Sequence, residues 1–425
     1  MKRTLVLSGG GTKGIYQVGV LKAMKDIGEF HFDKVVGVSV GSLNAAMIVQ
    51  GDLDKLEYMY DHLLASQIVN GYVPTDMSIK SIMSDKDGFL QQLQYYLKEH
   101  GIDIAPFYDH VHTYYDPKKF HKSKMDFALV TALNKDHSGC IIEKDMMDEK
   151  AEDWLVASCS AYPAFPVKVI DGVEYVDGGY YDNSPIDYAL RDGADEVVAI
   201  EMGVDTLHPL YRDKKIIQLI HPHYELYDFL CFDQEKMQRA KIIGYNDAMK
   251  FYKKYDGYRY TFKKFALPVY FHEYEKAMLI KEVKIKNATS INERFRSEHV
   301  ISDRLMEQMH LDSLSDKKIF FGMLDALMDL CGMDDTKVYT IKDAKKEILA
   351  NFAQCAYEDY PYKPTLNPID MYEYVKTLDQ KTIVSLILHS YFYPEHTLLS
   401  ENIILTVYPF ASAMADFLSI MMKHI

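Results

Sequence analysis

Short apolar runs alternate with helical patterns along the first half of the chain. Thr4–Leu7 and Lys34–Val38 are short, β-branched runs typical of buried strands. Each precedes a stretch with helical periodicity, Ile15–Ile27 after the first and Ser42–Gln50 after the second. Because strands that alternate with helices form parallel sheets covered on their faces, we predict an α/β fold. Its central sheet is expected to be mainly parallel, with helices on both faces.

The same patterns divide the chain into two regions. Further strands are predicted at 127–133, 140–143, 167–170, 174–176, 196–201 and 215–220. A helix over 235–255 closes a predicted catalytic domain, residues 1–255. Residues 256–425 form a second, mostly helical region, to which the sequence assigns no role. Its helices are predicted at 319–331, 342–357, 370–378 and 382–390.

A mostly helical insertion interrupts the predicted catalytic domain at residues 51–124. Its clearest helix spans 88–100. The insertion follows directly on the second strand–helix pair, and loops beside a candidate active site often cover the substrate. We therefore regard 51–124 as a candidate lid.

Composition limits the range of functions. The chain has 425 residues, of which 48% are hydrophobic and 26% charged, as in folded globular proteins. A formal net charge of −14 argues against general attraction to nucleic acid. The five cysteines are widely spaced and form no Cys-x-x-Cys pair, which indicates free thiols in a reducing compartment.

Two segments have some features of export or membrane-spanning sequences but lack others. The apolar run that follows Lys2 and Arg3 is too short for a signal peptide. Residues 403–422 have nearly the length of a membrane span, but they contain Asp416 and Pro409. There we predict a strand or loop followed by a helix from Phe410. We therefore expect a cytoplasmic protein without a transmembrane span, whose contact with membranes, if any, is peripheral.

A glycine-rich loop, Ser8–Gly14, joins the first strand to the first helix. Its amides at Gly9, Gly10 and Gly11 lie beside a helix N-terminus, a setting that favours negative charge. The G-x-G-x-x-G spacing also occurs in dinucleotide-binding proteins, but the acidic residue expected at the end of the second strand is missing. We favour an oxyanion hole. The alternative that this loop is only a tight turn and binds no ligand is not excluded by the sequence.

The second strand leads into the pentapeptide Gly37–Gly41, which has the pattern G-x-S-x-G. A strand before the motif and a helix after it form the nucleophile elbow of serine hydrolases, which exposes the serine hydroxyl. Ser39 is therefore the candidate nucleophile. Gly37 and Gly41 flank it where a side chain is expected to clash.

The base that activates Ser39 has two candidate types. A Ser-His-Asp hydrolase needs a downstream histidine, and the candidates are His208, His221, His223 and His272. None follows a strand convincingly, although His221 and His223 come closest. A carboxylate is the alternative, because Asp177 ends a predicted strand and is followed by Gly178 and Gly179. Partial desolvation is then needed to make this weak base effective.

Together these motifs resemble the patatin-like phospholipase family. The resemblance is carried by the glycine loop with Lys13 and Gly14, the G-x-S-x-G elbow, and the Asp-Gly-Gly at Asp177. A fourth stretch, Ala157–Pro166, also matches, as do Asn183 and Pro185. The motifs occur in family order, and the resemblance ends at about Tyr255.

The resemblance implies a serine acyl hydrolase with a Ser39–Asp177 dyad and no catalytic histidine. It also implies that Gly9–Gly11 hold the oxyanion, that the substrate is a lipid or another acyl ester, and that no metal or organic cofactor takes part. Two alternatives stay open: a Ser-His-Asp esterase, and a non-catalytic lipid-binding protein on the same fold.

Overall fold

The chain forms two compact units, Met1–Tyr252 and Lys253–Ile425. The computed structural model describes residues 1–70, 102–203, 215–288, 300–309, 315–357, 374, 376–394, 397 and 400–424.

An eight-stranded sheet forms the centre of the first unit. Its strands are β1 (Arg3–Leu7), β2 (Lys34–Val38), β3 (Asp126–Leu133), β4 (Gly139–Glu143), β5 (Lys168–Ile170), β6 (Val173–Asp177), β7 (Glu196–Ile200) and β8 (Ile217–Ile220). Their order is β5-β6-β3-β2-β1-β7-β8, and β4 also pairs with β3. Five neighbouring strands in this order, β3, β2, β1, β7 and β8, are parallel to one another. Strands β4 and β6 are antiparallel to β3. The predicted, mainly parallel sheet is confirmed.

In the described part of the first unit, eight helices accompany this sheet. They are α1 (Gly14–Asp26), α2 (Val40–Val49), α3 (Leu53–Asp61), α4 (Ala105–Tyr114), α5 (Pro117–Lys122), α6 (Ala151–Ser158), α7 (Ile186–Arg191) and α8 (Gln234–Phe251). Successive strand side chains face opposite sides. Leu5 lies in the large core that α1, α2 and α8 share, whereas Val6 packs against Ile186 and Ala189 of α7. Helices therefore cover both faces, as predicted.

The insertion after the second helix is only partly described. Helices α3, α4 and α5 lie in its described parts. The predicted helix at 88–100 falls outside the described residues, so the lid stays a prediction. At the end of the first unit, α8 stops at Phe251 rather than at 255, because a strand begins at Tyr255.

The second unit is mostly helical, as expected. Its helices are α9 (Phe271–Ala288), α10 (Val300–Gln308), α11 (Asp316–Leu330), α12 (Ile341–Tyr357), α13 (Gln380–Phe392), α14 (Glu401–Val407) and α15 (Pro409–Lys423). A small sheet contains β9 (Tyr255–Gly257), β10 (Thr261–Lys263) and β11 (Val338–Tyr339). A separate aromatic and methionine-rich core holds the unit together.

One expectation for the second unit is wrong. The strand or loop predicted before residue 410 is the helix Glu401–Val407. Pro409 does not prevent a second helix, because proline is well tolerated in a first turn, and α15 begins with it. Among the described helices, none is both long enough and apolar enough to cross a membrane. The predicted helix at 370–378 lies largely outside the described residues.

Candidate active site

Ser39 lies at a sharp turn between β2 and α2. Strand β2 ends at Val38 and α2 begins at Val40, so Ser39 alone makes the connection. Its φ of 55° and ψ of −134° are backbone angles that a side-chain-bearing residue rarely adopts. Such strain costs on the order of 1–3 kcal/mol and occurs mainly at functional sites. The predicted elbow is present.

Positions 37 and 41, on either side of Ser39, have no room for a side chain and therefore require glycine. A Cβ on Gly37 falls 2.3 Å from the carbonyl oxygen of Gly41. A Cβ on Gly41 falls 2.4 Å from the carbonyl oxygen of Leu7, at the end of β1. The turn is therefore tight against both its own chain and the neighbouring strand, as the sequence predicts.

Two other serines fix the backbone of the elbow. The amide of Ser39 donates to the hydroxyl of Ser158 (2.9 Å), and that hydroxyl donates to the carbonyl of Val130 on β3 (2.7 Å). The hydroxyl of Ser42 donates to the carbonyl of Ser39 (2.6 Å). Both peptide groups of the strained residue are thus held from outside the turn.

Sheet register brings Asp177 beside Ser39. On β3, Val130 pairs with Val38 of β2, and the next residue, Thr131, pairs with Asp177 of β6. Because β4 pairs along the other side of β3, β2 and β6 lie on the same side of it, and the two candidate residues are neighbours where β2 ends. Asp177 is held there by its amide, which donates to the carbonyl of Ser160 (2.9 Å).

The environment of Asp177 suits a base. Burial, which leaves the residue 6% exposed, raises the pKa of this carboxyl from 3.8 to about 6. Hydrogen bonds from the side chain of Ser39 and from the amide of Gly179 (2.7 Å) lower the pKa and limit the rise. The carboxylate is a stronger base than in water, yet it is ionised at neutral pH.

The glycine loop offers two amides rather than three. The amide of Gly9 donates to the side-chain oxygen of Asn183 (3.2 Å), and the side-chain amide of Asn183 points back at the carbonyl of Gly9 (3.4 Å). For the amides of Gly10 and Gly11, the described part of the chain provides no acceptor. These two amides are therefore the available donors.

A later segment of the chain packs on this loop. Gly11 has a φ of 57°, and a Cβ there falls 2.0 Å from the carbonyl oxygen of Phe229. The same carbonyl accepts from the amide of Thr12 (2.8 Å), whose hydroxyl in turn accepts from the amide of Cys231 (3.0 Å). Positive φ and close approach both require glycine at position 11.

The remaining motif residues contribute to packing and ion pairing around the site. Lys13 points towards Glu225, with 3.6 Å between the charged atoms, and is not part of the pocket wall. A Cβ on Gly14 falls 2.1 Å from the hydroxyl of Tyr60, and one on Gly178 falls 2.1 Å from the carbonyl of Val130. These glycines allow close packing around the site.

Ser39, Asp177 and the glycine loop open onto one pocket of about 350 Å³. Its other walls are largely apolar. They include Val40, Leu43, Met59, Leu63, Ile68, Phe107, Phe165, Phe229, Leu230 and Phe232. A volume and lining of this kind suit a small or medium-sized apolar ligand.

Comparison with known families agrees with this geometry. Residues 5–190 match the family model described as patatin-like phospholipase. Residues 5–190 are a patatin-like domain. The match contains the glycine loop, the elbow, Asp177 and Asn183, so every motif on which the resemblance depends lies within it.

Several known proteins are similar to parts of the chain. A cUMP-AMP-activated phospholipase of Escherichia coli is 30% identical over 213 residues, which cover 45% of this chain and 58% of that protein. A lysophospholipase of Cryptococcus neoformans is 25% identical over 207 residues, 48% of this chain and 11% of that protein. The chain thus spans less than two thirds of either relative. Among solved structures, VipD from Legionella pneumophila aligns over 99% of this chain and 90% of its own, at 15% identity and a TM-score of 0.39.

The histidines proposed for a Ser-His-Asp hydrolase do not line the pocket of the patatin-like domain. His221 contacts the carbonyl of Pro222 and the ring of His223, outside the pocket wall. His272 belongs to the second unit, where it pairs with Glu275. His208 lies outside the described residues.

Sequence reasoning missed a histidine that does line the pocket. His110 on α4 forms part of the wall with Phe107, one helical turn before it. Burial lowers the pKa of His110 to about 4, so the ring is neutral at neutral pH. No local signal marks this residue, because α4 lies within the long insertion and matches no motif.

Proposed function

We propose that this protein is a serine acyl hydrolase that cleaves carboxylic esters of lipids, with Ser39 as nucleophile and Asp177 as base. The observation that carries the proposal is the shared pocket. A strained serine, a buried carboxylate and two amides that find no acceptor in the described ranges face one apolar cavity. The patatin-like domain and the similar phospholipases support the same chemistry.

In the first half-reaction, the Ser39 oxygen attacks the ester carbonyl carbon while its proton passes to the Asp177 carboxylate. Negative charge moves onto the former carbonyl oxygen, and the amides of Gly10 and Gly11 stabilise it. As this intermediate collapses, the carbon–oxygen bond to the alcohol breaks and the alcohol takes the proton from Asp177. An acyl ester of Ser39 remains.

The second half-reaction releases the acid. A water molecule gives a proton to Asp177 and attacks the acyl carbon, which again places charge on the carbonyl oxygen. Collapse of this intermediate breaks the bond to Ser39, and the serine oxygen regains the proton. Asp177 ends the cycle ionised, and no metal or organic cofactor is needed in this scheme.

The pocket wall favours an apolar acyl group. The residues beyond the dyad are aliphatic or aromatic, and they offer dispersion contacts and burial to methylene groups. Transfer of one methylene from water contributes about 0.8 kcal/mol. Fatty acyl esters, whether phospholipids, lysophospholipids or acylglycerols, are therefore the proposed substrate class.

A screen of lipid and chromogenic acyl esters tests this function. The wild type is expected to hydrolyse at least one class, and a fluorophosphonate probe should label it. Ser39→Ala should lose both hydrolysis and labelling, and Asp177→Asn should lose hydrolysis by on the order of 10³-fold or more.

The main alternatives give different results in the same screen. A histidine-dependent esterase predicts that His221→Ala or His223→Ala abolishes turnover while Asp177→Asn retains it. A lipid-binding protein without activity predicts that the wild type neither reacts with the probe nor cleaves any ester.

A further inference from the structure

The apolar pocket contains a polar group for which the proposed mechanism has no use. His110 is 8% exposed and lines the pocket together with Leu43 and Met59. The ring contacts Tyr114, but its nitrogens have no hydrogen-bond partner in the described part of the chain. A neutral imidazole carries one donor and one acceptor, and both are available.

His110 also lines a smaller cavity behind the pocket. This space of about 20 Å³ shares Leu43, Met59 and His110 with the main pocket and contains neither Ser39 nor Asp177. His110 therefore belongs to the part of the wall that separates the main pocket from a second cavity without dyad residues, and there we expect the distal part of an acyl chain.

A second polar group without a partner lines the small cavity. Tyr115 is 8% exposed, and its hydroxyl has no hydrogen-bond partner among the described residues. Leaving a buried donor or acceptor unsatisfied costs about 1–3 kcal/mol. The wall of this cavity therefore carries the buried, unpaired hydroxyl of Tyr115 together with the imidazole of His110, and a polar atom in the cavity is able to satisfy both.

The space fits one oxygen atom. A cavity needs roughly 10–15 Å³ to hold a water molecule, and a water there has His110 and Tyr115 as partners. A hydroxyl or keto oxygen on a bound acyl chain is able to make the same hydrogen bonds. It then replaces the water without leaving either side chain unpaired.

We propose that His110 and Tyr115 form a polar end to the acyl pocket and that the enzyme selects fatty acyl chains carrying an oxygen substituent over unsubstituted chains. This inference rests on the proposed hydrolase function and specifies its substrate. An unsubstituted chain forces the two polar groups to stay unpaired or to retain a water against apolar methylenes.

The test compares chromogenic esters of one chain length, either unsubstituted or with a single hydroxyl group at successive carbons. The measured quantity is the ratio of kcat/KM for each hydroxy ester to that for the unsubstituted ester. Because both esters are assayed with the same enzyme sample, the ratio is independent of the folded fraction. In the wild type we expect a ratio of about tenfold or more at one or two adjacent positions.

Three variants assign the preference to these residues. His110→Phe and Tyr115→Phe should each lower the best ratio by about fivefold to tenfold, the loss of one hydrogen bond. His110→Gln keeps a donor and an acceptor and should retain more of the ratio than His110→Phe. Tyr270→Phe is the matched control, because Tyr270 is also 8% exposed with an unpaired hydroxyl but belongs to the second unit. It should leave the ratio unchanged.

Two results overturn the inference and are distinguishable from failure of the function. If the wild type hydrolyses unsubstituted esters as fast as every hydroxy isomer, the polar end holds only a structural water and the inference is wrong. The same follows if a preference exists but survives both His110→Phe and Tyr115→Phe. If no ester is cleaved at all, the proposed hydrolase function is itself wrong.

Discussion

At the scale of single residues, the Asp177 side chain links chemistry to stability. Its carboxyl is buried and receives a hydrogen bond from the Gly179 amide, but no cation pairs with it among the described residues. Burial without a counter-charge raises the pKa to about 6. The same shift makes the group a better base and makes its ionised form unfavourable in the folded protein.

Hydrolysis should therefore lose rate in acid. Below about pH 6 the carboxyl becomes protonated and can no longer accept the Ser39 proton, so kcat/KM should fall about tenfold per pH unit. A pH profile on a soluble ester measures this fall. Rates recovered after return to neutral pH exclude acid unfolding. A rate that stays constant down to pH of about 5 contradicts Asp177 as the base.

Replacing Asp177 by Asn should stabilise the protein at neutral pH. The unfolded carboxyl ionises near 3.8 and the folded one near 6, so stability falls as pH rises between these values and stays lowered above them. Asn is isosteric and uncharged, and its side-chain oxygen can keep the bond from Gly179. Urea unfolding at about pH 7.5 should show a gain of about 2–3 kcal/mol for Asp177→Asn. The gain should largely vanish near pH 4, and a gain that is equal at both pH values contradicts the assignment.

The sequence reveals these residues only where a local pattern marks them. Ser39 and Asp177 were predictable because each stands in a short motif at a strand end. The pairing of Gly9 with Asn183 was not, since it joins residues 174 positions apart and leaves two free amides instead of three. His110 has no motif at all, and its role depends on which residues surround it in the fold.

At the scale of elements, the turn between β2 and α2 has no room for an extra atom. Gly41→Ala brings a Cβ to 2.4 Å from the carbonyl of Leu7, and both strand and helix must shift. We expect a loss of at least about 2 kcal/mol in the free energy of unfolding, with loss of hydrolysis. Gly28→Ala is the control, because Gly28 also has a positive φ of 79° but nothing within 4 Å. Its cost should be limited to about 1–2 kcal/mol, with activity retained.

The link from the elbow to β3 is a second element-scale feature. Ser158→Ala removes the acceptor of the Ser39 amide and the donor to Val130, so we expect a loss of about 1–3 kcal/mol in stability and a lower kcat. Ser160→Ala provides a comparison, because Ser160 is equally buried but its hydroxyl bonds to Val156 in the adjoining helix. Equal effects of both substitutions on kcat contradict a specific role for Ser158.

Strands and helices were predicted correctly where the hydrophobic periodicity and the residues that end an element indicate the same boundaries. The strand at Lys34–Val38 is apolar beyond Lys34 and ends at the elbow, and its bounds were predicted without error. The residues from 403 up to 409 are predicted as strand or loop because Pro409 interrupts the apolar run and Thr406 makes it less hydrophobic. Packing of this segment as a helix against α9 and α15 overrides that local preference.

At the scale of the whole molecule, the two units have separate cores. The cores of the first unit contain no residue after Ala248, and that of the second unit contains none before Tyr260. We predict that a fragment comprising residues 1–252 folds cooperatively and hydrolyses a soluble ester within about tenfold of the full chain. Thermal unfolding followed by circular dichroism, together with the ester assay, tests this. An insoluble or non-cooperative fragment contradicts it.

The contact of Phe229 with the glycine loop also affects the timing of folding. The residues of the proposed oxyanion site belong to the first dozen of the chain, whereas the carbonyl that accepts from Thr12 belongs to a residue more than two hundred positions later. A growing polypeptide that has emerged only to residue 190 contains every motif, but the backbone of its glycine loop is not yet fixed. Hydrolytic competence is thus expected only after synthesis has passed this segment.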